Sequence, residues 1–224
     1  MSIFKWTTEP KKIYIWVEKW EWQPWPNTVA YYPLRANFND ASWNSRNLTN
    51  SWWTITTVGW ISCAYYNWSS YSRYSWYALT RTARTICVWV RLTNPKWVLH
   101  ISKYNVWGPT WSLWLNTQSN KFKMSDWTSI DQLWTTTINS STWYNVVLTQ
   151  QWNNAWLYVN WSLEKSVTNY PAEQTTPDSR SIFCKDYTSL SEKSTWYINE
   201  VILENQVRTS DMVTQYYNST KDNY

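Results

Sequence analysis

The sequence is almost without glycine, and tryptophan stands at many places where a chain normally turns. It has 224 residues with only 2 Gly but 23 Trp, whereas glycine usually makes up ~7% of a protein. Asn160 and Trp161, for example, lie between two strand-like segments, where a two-residue hairpin turn favours Asn-Gly. That turn needs positive φ at both central residues, which glycine adopts freely and a bulky residue does not. Either the chain avoids tight turns or many of its tryptophans stand for glycine.

The neighbours of the tryptophans favour the second alternative. Trp often follows Asn, Asp or Ser, and glycine at the same places would give the dipeptides that mark turns. Some uncultivated bacteria and their phages read the codon UGA as Gly, whereas a common alternative code reads it as Trp. We therefore predict that most of these tryptophans are misread glycines; a protein truly rich in tryptophan is the alternative. The UGA codons are expected at Trp43, Trp68, Trp152, Trp161 and Trp196.

Two tryptophans fit their surroundings as aromatic residues. Trp89 lies in the segment ICVWVRL (86–92), where apolar residues alternate with others, and Trp143 opens the segment WYNVVLT. Strands favour aromatic residues at such positions. We expect Trp89 and Trp143 to be genuine.

Charge and cysteine content exclude several classes of protein. The net charge is +5 with scattered basic residues. Binding of single-stranded nucleic acid needs aromatic residues for base stacking as well as basic charge, and most of these aromatic residues would be absent if the tryptophans are glycines. Cys63, Cys87 and Cys184 are odd in number and lack CxxC spacing, which favours neither a complete disulfide framework nor a zinc site. No segment approaches the ~18 apolar residues of a membrane helix, and the N-terminus lacks the apolar core of a secretory signal. We expect no nucleic-acid partner and no membrane span.

Short strand-like segments follow one another through most of the chain. Residues 1–28 contain one strand and a Pro-containing linker, and from Val29 onward segments rich in β-branched and aromatic residues alternate with polar intervals. This spacing, without long helical segments between, predicts an all-β fold with an antiparallel sandwich or barrel. The exception is SDMVTQYY (210–217), a predicted short helix capped by Thr209 or Ser210.

Four segments in order resemble the laminin-G-like and concanavalin A-like jelly-roll domains. They are VAYYPLRANFNDASWNSRNLTN (29–50), ICVWVRL (86–92), TWYNVVLTQQWNNAWLYVNWSL (142–163) and WYINEVILENQVRTSDMVTQYYN (196–218). The resemblance implies a jelly-roll β-sandwich with a short C-terminal helix over residues 29–224, behind an N-terminal strand and linker at 1–28. Residues 104–142 match only loosely, and Asn199 stands where the family usually has Asp.

The resemblance also implies a calcium site. Many relatives bind one Ca²⁺ through loop oxygens, and Asp40 and Asn44 lie in the loop where the family would place its ligands. Asn199 would contribute a weaker, neutral oxygen. The alternative is an ordinary Asx turn in this loop.

Catalysis is not expected, although the fold also includes glycosidases. Retaining glycosidases need two carboxylates ~5 Å apart, whereas Glu200 and Glu204 would share a strand face at ~13 Å. His100 is the only histidine and lies in a strand-like segment without a nucleophile motif. We expect no enzymatic activity.

Binding of carbohydrate is the function that these observations favour. Tyr71, Arg73 and Tyr74 lie near the end of a predicted strand and offer the rings and polar groups that sugars need, although strand tyrosines often only pack. The predicted function is non-catalytic recognition of a glycan or surface polymer at a cell or virion surface, and thus outside the cell, although no signal peptide is visible. The alternative is a structural or adhesion module that docks a protein partner, as in phage tail or capsid decoration proteins.

Overall fold

The computed structural model describes residues 26–51, 53–66, 71–74, 79, 82–93, 99–103, 113–118, 121–125, 131–169, 180–182 and 196–224. The strands are β1 Thr28–Tyr32, β2 Thr49–Ser51, β3 Thr54–Val58, β4 Ile61–Tyr66, β5 Tyr71–Tyr74, β6 Ala83–Leu92, β7 Leu99–Lys103, β8 Leu113–Gln118, β9 Lys121–Ser125, β10 Asp131–Thr137, β11 Trp143–Gln151, β12 Asn154–Val159, β13 Ser162–Val167, β14 Arg180–Ile182 and β15 Trp196–Glu204. Helix α1 spans Ser210–Thr220, and a 3₁₀ turn follows at Lys221–Asn223. The N-terminal strand predicted before residue 26, Trp68 and Cys184 lie outside the described residues.

The strands form two antiparallel sheets. The first has the order β13-β12-β11-β6-β15-β4-β3, with β1 also paired to β15; the second has the order β10-β9-β8-β7-β14-β5-β2. Every described strand pair is antiparallel. The predicted antiparallel β-sandwich with a short C-terminal helix is confirmed.

Alternation along the central strands builds the core between the sheets. Val88 and Val90 of β6 belong to the larger buried cluster, as the period of two along a strand requires. Phe122 of the second sheet joins this cluster and meets the ring of Tyr144 edge-on, with 5.5 Å between centroids. The inward face of the first sheet is thus covered by the second sheet.

A carboxylate joins the two sheets at one edge. Glu164 of β13 accepts hydrogen bonds from the backbone N–H groups of Thr135 and Thr136 of β10, both at 3.0 Å, and from both threonine hydroxyls. Charged acceptors make stronger hydrogen bonds than neutral ones. The Glu164 carboxylate therefore fixes the edge strand β13 to β10.

Helix α1 covers the outward face of the first sheet. Thr209 is the N-cap, and its hydroxyl accepts a hydrogen bond from Met212 N at 3.4 Å. Trp89 points outward from β6 and stacks on Tyr217 and Tyr224, with ring centroids 5.7 and 3.9 Å away. The short helix and its cap were predicted from the sequence; its C-terminus lies three residues beyond the predicted end.

Several of the described tryptophans lie at opposite extremes of exposure. Trp43, Trp60, Trp152 and Trp161 lie in turns, with exposures of 89%, 80%, 59% and 49%, whereas Trp53, Trp89 and Trp196 are buried. Trp89 and Trp143 lie on strands, as expected for genuine aromatic residues.

Trp196 departs from our expectation of a turn glycine. It lies in β15 opposite Leu92 and Tyr66 and is 2% exposed. A residue paired within a strand does not need positive φ, and the buried ring fills part of the core. The turn rules give no reason for glycine at this position.

Candidate functional site

Strand β15 exchanges one neighbour for another in its middle. One edge pairs with β6 throughout, while the other pairs with β4 at Trp196–Ile198 and with β1 from Val201 onward. Between these two stretches the register against β6 shifts, so that Asn199 is an extra residue. Such bulges bend a strand and re-aim side chains, and they are frequent beside functional sites.

A polar cleft lies at this junction. Its volume is about 360 Å³. It is lined by Arg35, Trp60, Ile61, Ser62, Asn199, Asp222 and Asn223. These residues come from the loop after β1, the β3–β4 hairpin, the bulge of β15 and the 3₁₀ turn after α1.

A strained residue precedes the arginine of the cleft. Leu34 has φ of 50° and is completely buried, and Arg35 follows it in the loop after β1. A left-handed backbone costs a residue with a side chain roughly 1–2 kcal/mol, and such strain is concentrated at functional sites. The buried Leu34 side chain anchors this bend, which leaves Arg35 free to line the cleft.

Asn199 fixes the floor of the cleft. Its Nδ2 donates to the carbonyl oxygen of Ser62 at 2.6 Å, while its Oδ1 accepts from Arg35 Nε at 3.4 Å and from the hydroxyl of Tyr224. The side chain is 2% exposed. The bulge residue thus connects β4, the loop after β1 and the end of the chain.

A buried glutamate lies beneath Arg35. Glu200 is 1% exposed; Tyr216 donates to its carboxyl group at 2.9 Å and Tyr224 at 3.4 Å, and Arg35 Nη2 is 3.9 Å away. Burial raises the pKa of Glu200, and the Tyr216 hydrogen bond and the charges of Arg35 and Arg208 offset this only in part. A partly exposed Arg35 is therefore held from below by an acid that resists ionisation.

Trp60 forms the exposed wall of the cleft. It is the second residue of the two-residue β3–β4 turn, in which Val58 pairs with Ile61. Gly59, the first residue, takes the positive φ of 66°, and Trp60 is absent from the described residues with positive φ. The ring at position 60 thus stands in solvent on an unstrained backbone.

The predicted calcium ligands are engaged by the protein itself. The Asp40 carboxylate accepts hydrogen bonds from the backbone N–H groups of Tyr31, Ser42 and Arg46, each at 2.8 Å, and from the Ser42 hydroxyl. The bond from Ser42 N forms the Asx turn that was the alternative interpretation. Asn44 Nδ2 donates to the carbonyl oxygens of Thr28 and Val29.

The third predicted ligand belongs to different surroundings. Asn199 lies at the β15 bulge and bonds Arg35, Tyr224 and Ser62, as described above, and not the Asp40 loop. Within the described ranges, no group of three or more His, Cys, Asp and Glu side chains is placed to hold a metal ion. Calcium binding stays a prediction.

The predicted sugar-binding residues lie on the second sheet. Tyr71, Arg73 and Tyr74 belong to β5, which pairs with β2 and β14. Their side chains, and that of His100 on β7, lie outside the described residues. Sugar binding at β5 stays a prediction.

The two glutamates of β15 share one face, as predicted. Glu200 and Glu204 lie opposite Trp89 and Thr85 of β6; Glu200 contacts Tyr216 of α1, and Glu204 contacts Arg208 just before α1. Glu204 forms a buried ion pair with Arg208, with distances of 2.7 and 2.8 Å from its carboxylate oxygens to the guanidinium nitrogens. Each carboxylate is therefore bound to groups of the protein.

Both described cysteines are buried and free. Burial raises the pKa of Cys87 to about 12 and that of Cys63 to about 11. A thiol with so high a pKa is a poor nucleophile at neutral pH. Cys87 is a small core residue, as predicted.

Of the residues that line the cleft, sequence reasoning singled out Asn199, as a calcium ligand, and missed the others. Arg35 and Asp222 carried no motif, and Trp60 was interpreted as one of many misread glycines. The glycine at position 59 is the signal that the sequence offered, because a glycine at the first turn position leaves the second open to other residues.

The fold has known counterparts, although the sequence has none. No protein-family model and no curated protein matches the chain. The binding domain of Paraclostridial Mosquitocidal Protein 1 aligns with a TM-score of 0.66 and 16% identity, over 86% of this chain and 52% of that one. Domain 4 of AbnA, a GH43 extracellular arabinanase from Geobacillus stearothermophilus, in complex with arabinotriose, aligns with a TM-score of 0.63 and 14% identity, over 84% of this chain and 97% of that one. Trypanosoma rangeli sialidase aligns with a TM-score of 0.68 and 15% identity, over 89% of this chain and 33% of that one.

These likenesses show the fold. The chain spans about half of the mosquitocidal binding domain (52%) and a third of the sialidase (33%), but nearly all (97%) of the arabinanase domain. Structural neighbours of this fold include domains that bind carbohydrate. In the described part of the chain, no helix has the length and apolar character needed to cross a membrane.

Proposed function

We propose that this domain is a non-catalytic module that recognises a glycan or surface polymer at a cell or virion surface, outside the cytoplasm. The observation that carries the proposal is the cleft at the β15 bulge. It combines an 80% exposed Trp60 with a guanidinium, a carboxylate and an amide on a floor fixed by hydrogen bonds. Sugar sites need a flat ring for stacking and a few placed polar groups.

The arabinanase domain lends further support. Its structure is a complex with arabinotriose, and this chain covers 97% of its length. A sandwich of this kind and length is thus compatible with holding a short saccharide. At 14% identity this likeness supports the class of ligand and not a particular sugar.

The test is a glycan array followed by calorimetric titration with the best-bound saccharide, comparing the parent chain with Trp60→Ala. We expect Trp60→Ala to weaken binding about thirty-fold, since a central aromatic contact contributes about 2 kcal/mol. Its unfolding free energy should stay within roughly 0.5 kcal/mol of the parent, because the ring is mostly in solvent.

Trp43→Ala is the matched control. Trp43 is 89% exposed and lies in the loop after β1, outside the residues that line the cleft. Equal losses in the two variants would mean nonspecific aromatic adhesion. The absence of binding on the glycan array, together with one stoichiometric protein partner in a pull-down, would favour the docking module instead.

Two further proposals concern other predicted sites. Tyr71, Arg73 and Tyr74 of β5 are a second candidate sugar surface, and Tyr71→Ala would weaken glycan binding if this surface is used. Ca²⁺ at Asp40, Asn44 and Asn199 is supported only by the family resemblance. Loss of thermal stability on adding EDTA, restored by Ca²⁺, would support it.

The origin of the tryptophans bears on the cleft directly. We propose, as a separate hypothesis, that turn tryptophans such as Trp43, Trp152 and Trp161 are glycines encoded by UGA. The cleft requires a genuine aromatic residue at position 60, encoded by UGG. A UGA codon there would remove the stacking ring and with it the main support for this site.

A further inference from the structure

We infer that the cleft selects a neutral saccharide whose neighbouring hydroxyl groups contact both Arg35 and Asp222, and that it discriminates against acidic sugars. This inference rests on the proposed carbohydrate-binding function and names the chemical class of the ligand. It follows from the two charged groups of opposite sign among the residues that line the cleft.

The two charged side chains have complementary hydrogen-bonding capacities. A guanidinium has only donors, and a carboxylate has only acceptors. A hydroxyl group is both, so adjacent hydroxyls on one sugar ring satisfy Arg35 and Asp222 together. A ligand carboxylate has no hydrogen to donate to Asp222 and would be repelled by it.

The inner edge of the Arg35 guanidinium already contacts groups of the protein. Its Nη2 lies 3.9 Å from Glu200 and its Nε bonds Asn199. These contacts hold the inner edge of the guanidinium in place. A neutral hydroxyl can accept from the outward edge of Arg35 and leave these contacts in place.

Size and shape agree with a short saccharide. The volume of about 360 Å³ lies at the small end of the ~300–1,000 Å³ typical of ligand pockets. The exposed ring of Trp60 presents an apolar face to the C–H groups of a sugar ring, and this face does not attract a ligand carboxylate. The end of a neutral glycan chain fits these features.

The experiment compares matched neutral and acidic sugars. The full chain is titrated with arabinotriose and with oligosaccharides that end in glucose or glucuronic acid, or in galactose or galacturonic acid, at low salt. We expect the neutral member of each bound pair to be favoured at least about ten-fold, which corresponds to about 1.4 kcal/mol. Asp222→Asn should reduce this preference several-fold.

Asp211→Asn is the matched control. Asp211 is an exposed carboxylate in the first turn of α1, outside the residues that line the cleft, and its removal should leave the preference unchanged. The salt dependence of binding can be measured without any variant. Salt screens the repulsion by Asp222, so the affinity for acidic ligands should rise relative to that for neutral ligands as salt is added.

The outcomes separate the two proposals. Glycans that bind, lose affinity in Trp60→Ala and show equal or greater affinity when acidic would overturn the inference and leave the proposed function standing. A preference that Asp222→Asn and salt do not change would also overturn it. The absence of glycan binding, or binding that Trp60→Ala leaves intact, would instead overturn the use of this cleft for carbohydrate.

Discussion

Two hairpins of the first sheet have the same turn geometry, but the first turn residue is a glycine in one and a tryptophan in the other. The β3–β4 and β11–β12 hairpins both have two-residue turns, since Val58 pairs with Ile61 and Gln151 with Asn154. In both, only the first turn residue has positive φ, namely 66° at Gly59 and 52° at Trp152. This is the pattern of a type II′ turn, which favours glycine at its first position.

The comparison separates two kinds of exposed tryptophan. Trp60 follows its glycine and stands on relaxed backbone, whereas Trp152 itself occupies the position of the glycine. A third hairpin, β12–β13, has positive φ at both turn residues, 47° at Asn160 and 70° at Trp161. Exposure alone therefore does not indicate a misplaced residue, whereas exposure together with positive φ indicates a position suited to glycine.

The largest effect is expected from removing the glycine that is present. Gly59→Ala should lower the unfolding free energy by about 1 to 1.5 kcal/mol, because an alanine at φ of 66° is strained. No atom lies within 4 Å of the added Cβ, so the backbone alone is responsible. Chemical denaturation measures the change, and an unchanged midpoint would mean that the two hairpins do not differ as described.

A second prediction concerns the edge strand that follows the Asn160–Trp161 turn. Glu164→Gln should cost about 1 kcal/mol near pH 7, because β13 loses charge-assisted hydrogen bonds to Thr135 and Thr136; we discount the value for partial exposure. Burial tends to raise the pKa of Glu164, but these hydrogen bonds outweigh it and the net shift is downward. The stabilisation is therefore present above the unfolded pKa of ~4.3 and is lost as pH falls through the lower folded pKa.

Denaturation across pH 2–8 tests this sign. The stability difference between the parent and Glu164→Gln should shrink toward the acidic end of this window. Lys165→Gln, at the next residue of β13, is the control and should not show that dependence. A difference that grows on acidification would contradict the assigned direction.

The third prediction is the reverse of the first. Trp152→Gly should raise the unfolding free energy by roughly 0.5 to 1 kcal/mol, because relief of the backbone strain exceeds the entropy that glycine adds to the unfolded chain. Trp60→Gly is the control and should bring no gain, since position 60 has no positive φ. Thermal unfolding of both variants measures the difference. A gain in stability from the substitution at position 60 alone would contradict the comparison of the two hairpins.

The smallest effect is expected at the third hairpin. Trp161→Gly should gain only a few tenths of a kcal/mol, because the ring of Trp161 lies 4.6 Å from that of Tyr217 and this contact is lost. The same denaturation experiments measure it. A gain larger than that of Trp152→Gly would show that the ring contact with α1 contributes little.

Much of the fold follows from local rules. The strand segments around Trp89 and Trp143, the helix with its Thr209 cap and the left-handed turn at Asn160 and Trp161 were all predicted, because periodicity, capping and turn chemistry act over a few residues. The turn expected at Trp196 is absent for the same reason: the preceding sequence favours a turn, but pairing with β4 and β6 places the residue in the core. The UGA codon expected there stays a prediction.

The sequence by itself determined the alternation of strands, the class of fold and the places where backbone geometry favours glycine. Tertiary structure alone decided the cleft, because Arg35, Trp60, Asn199 and Asp222 are far apart in the chain and lack a shared motif. They meet because β15 leaves β4 for β1 at a one-residue bulge. Such an exchange of partners depends on long-range register, which no local pattern in the sequence records.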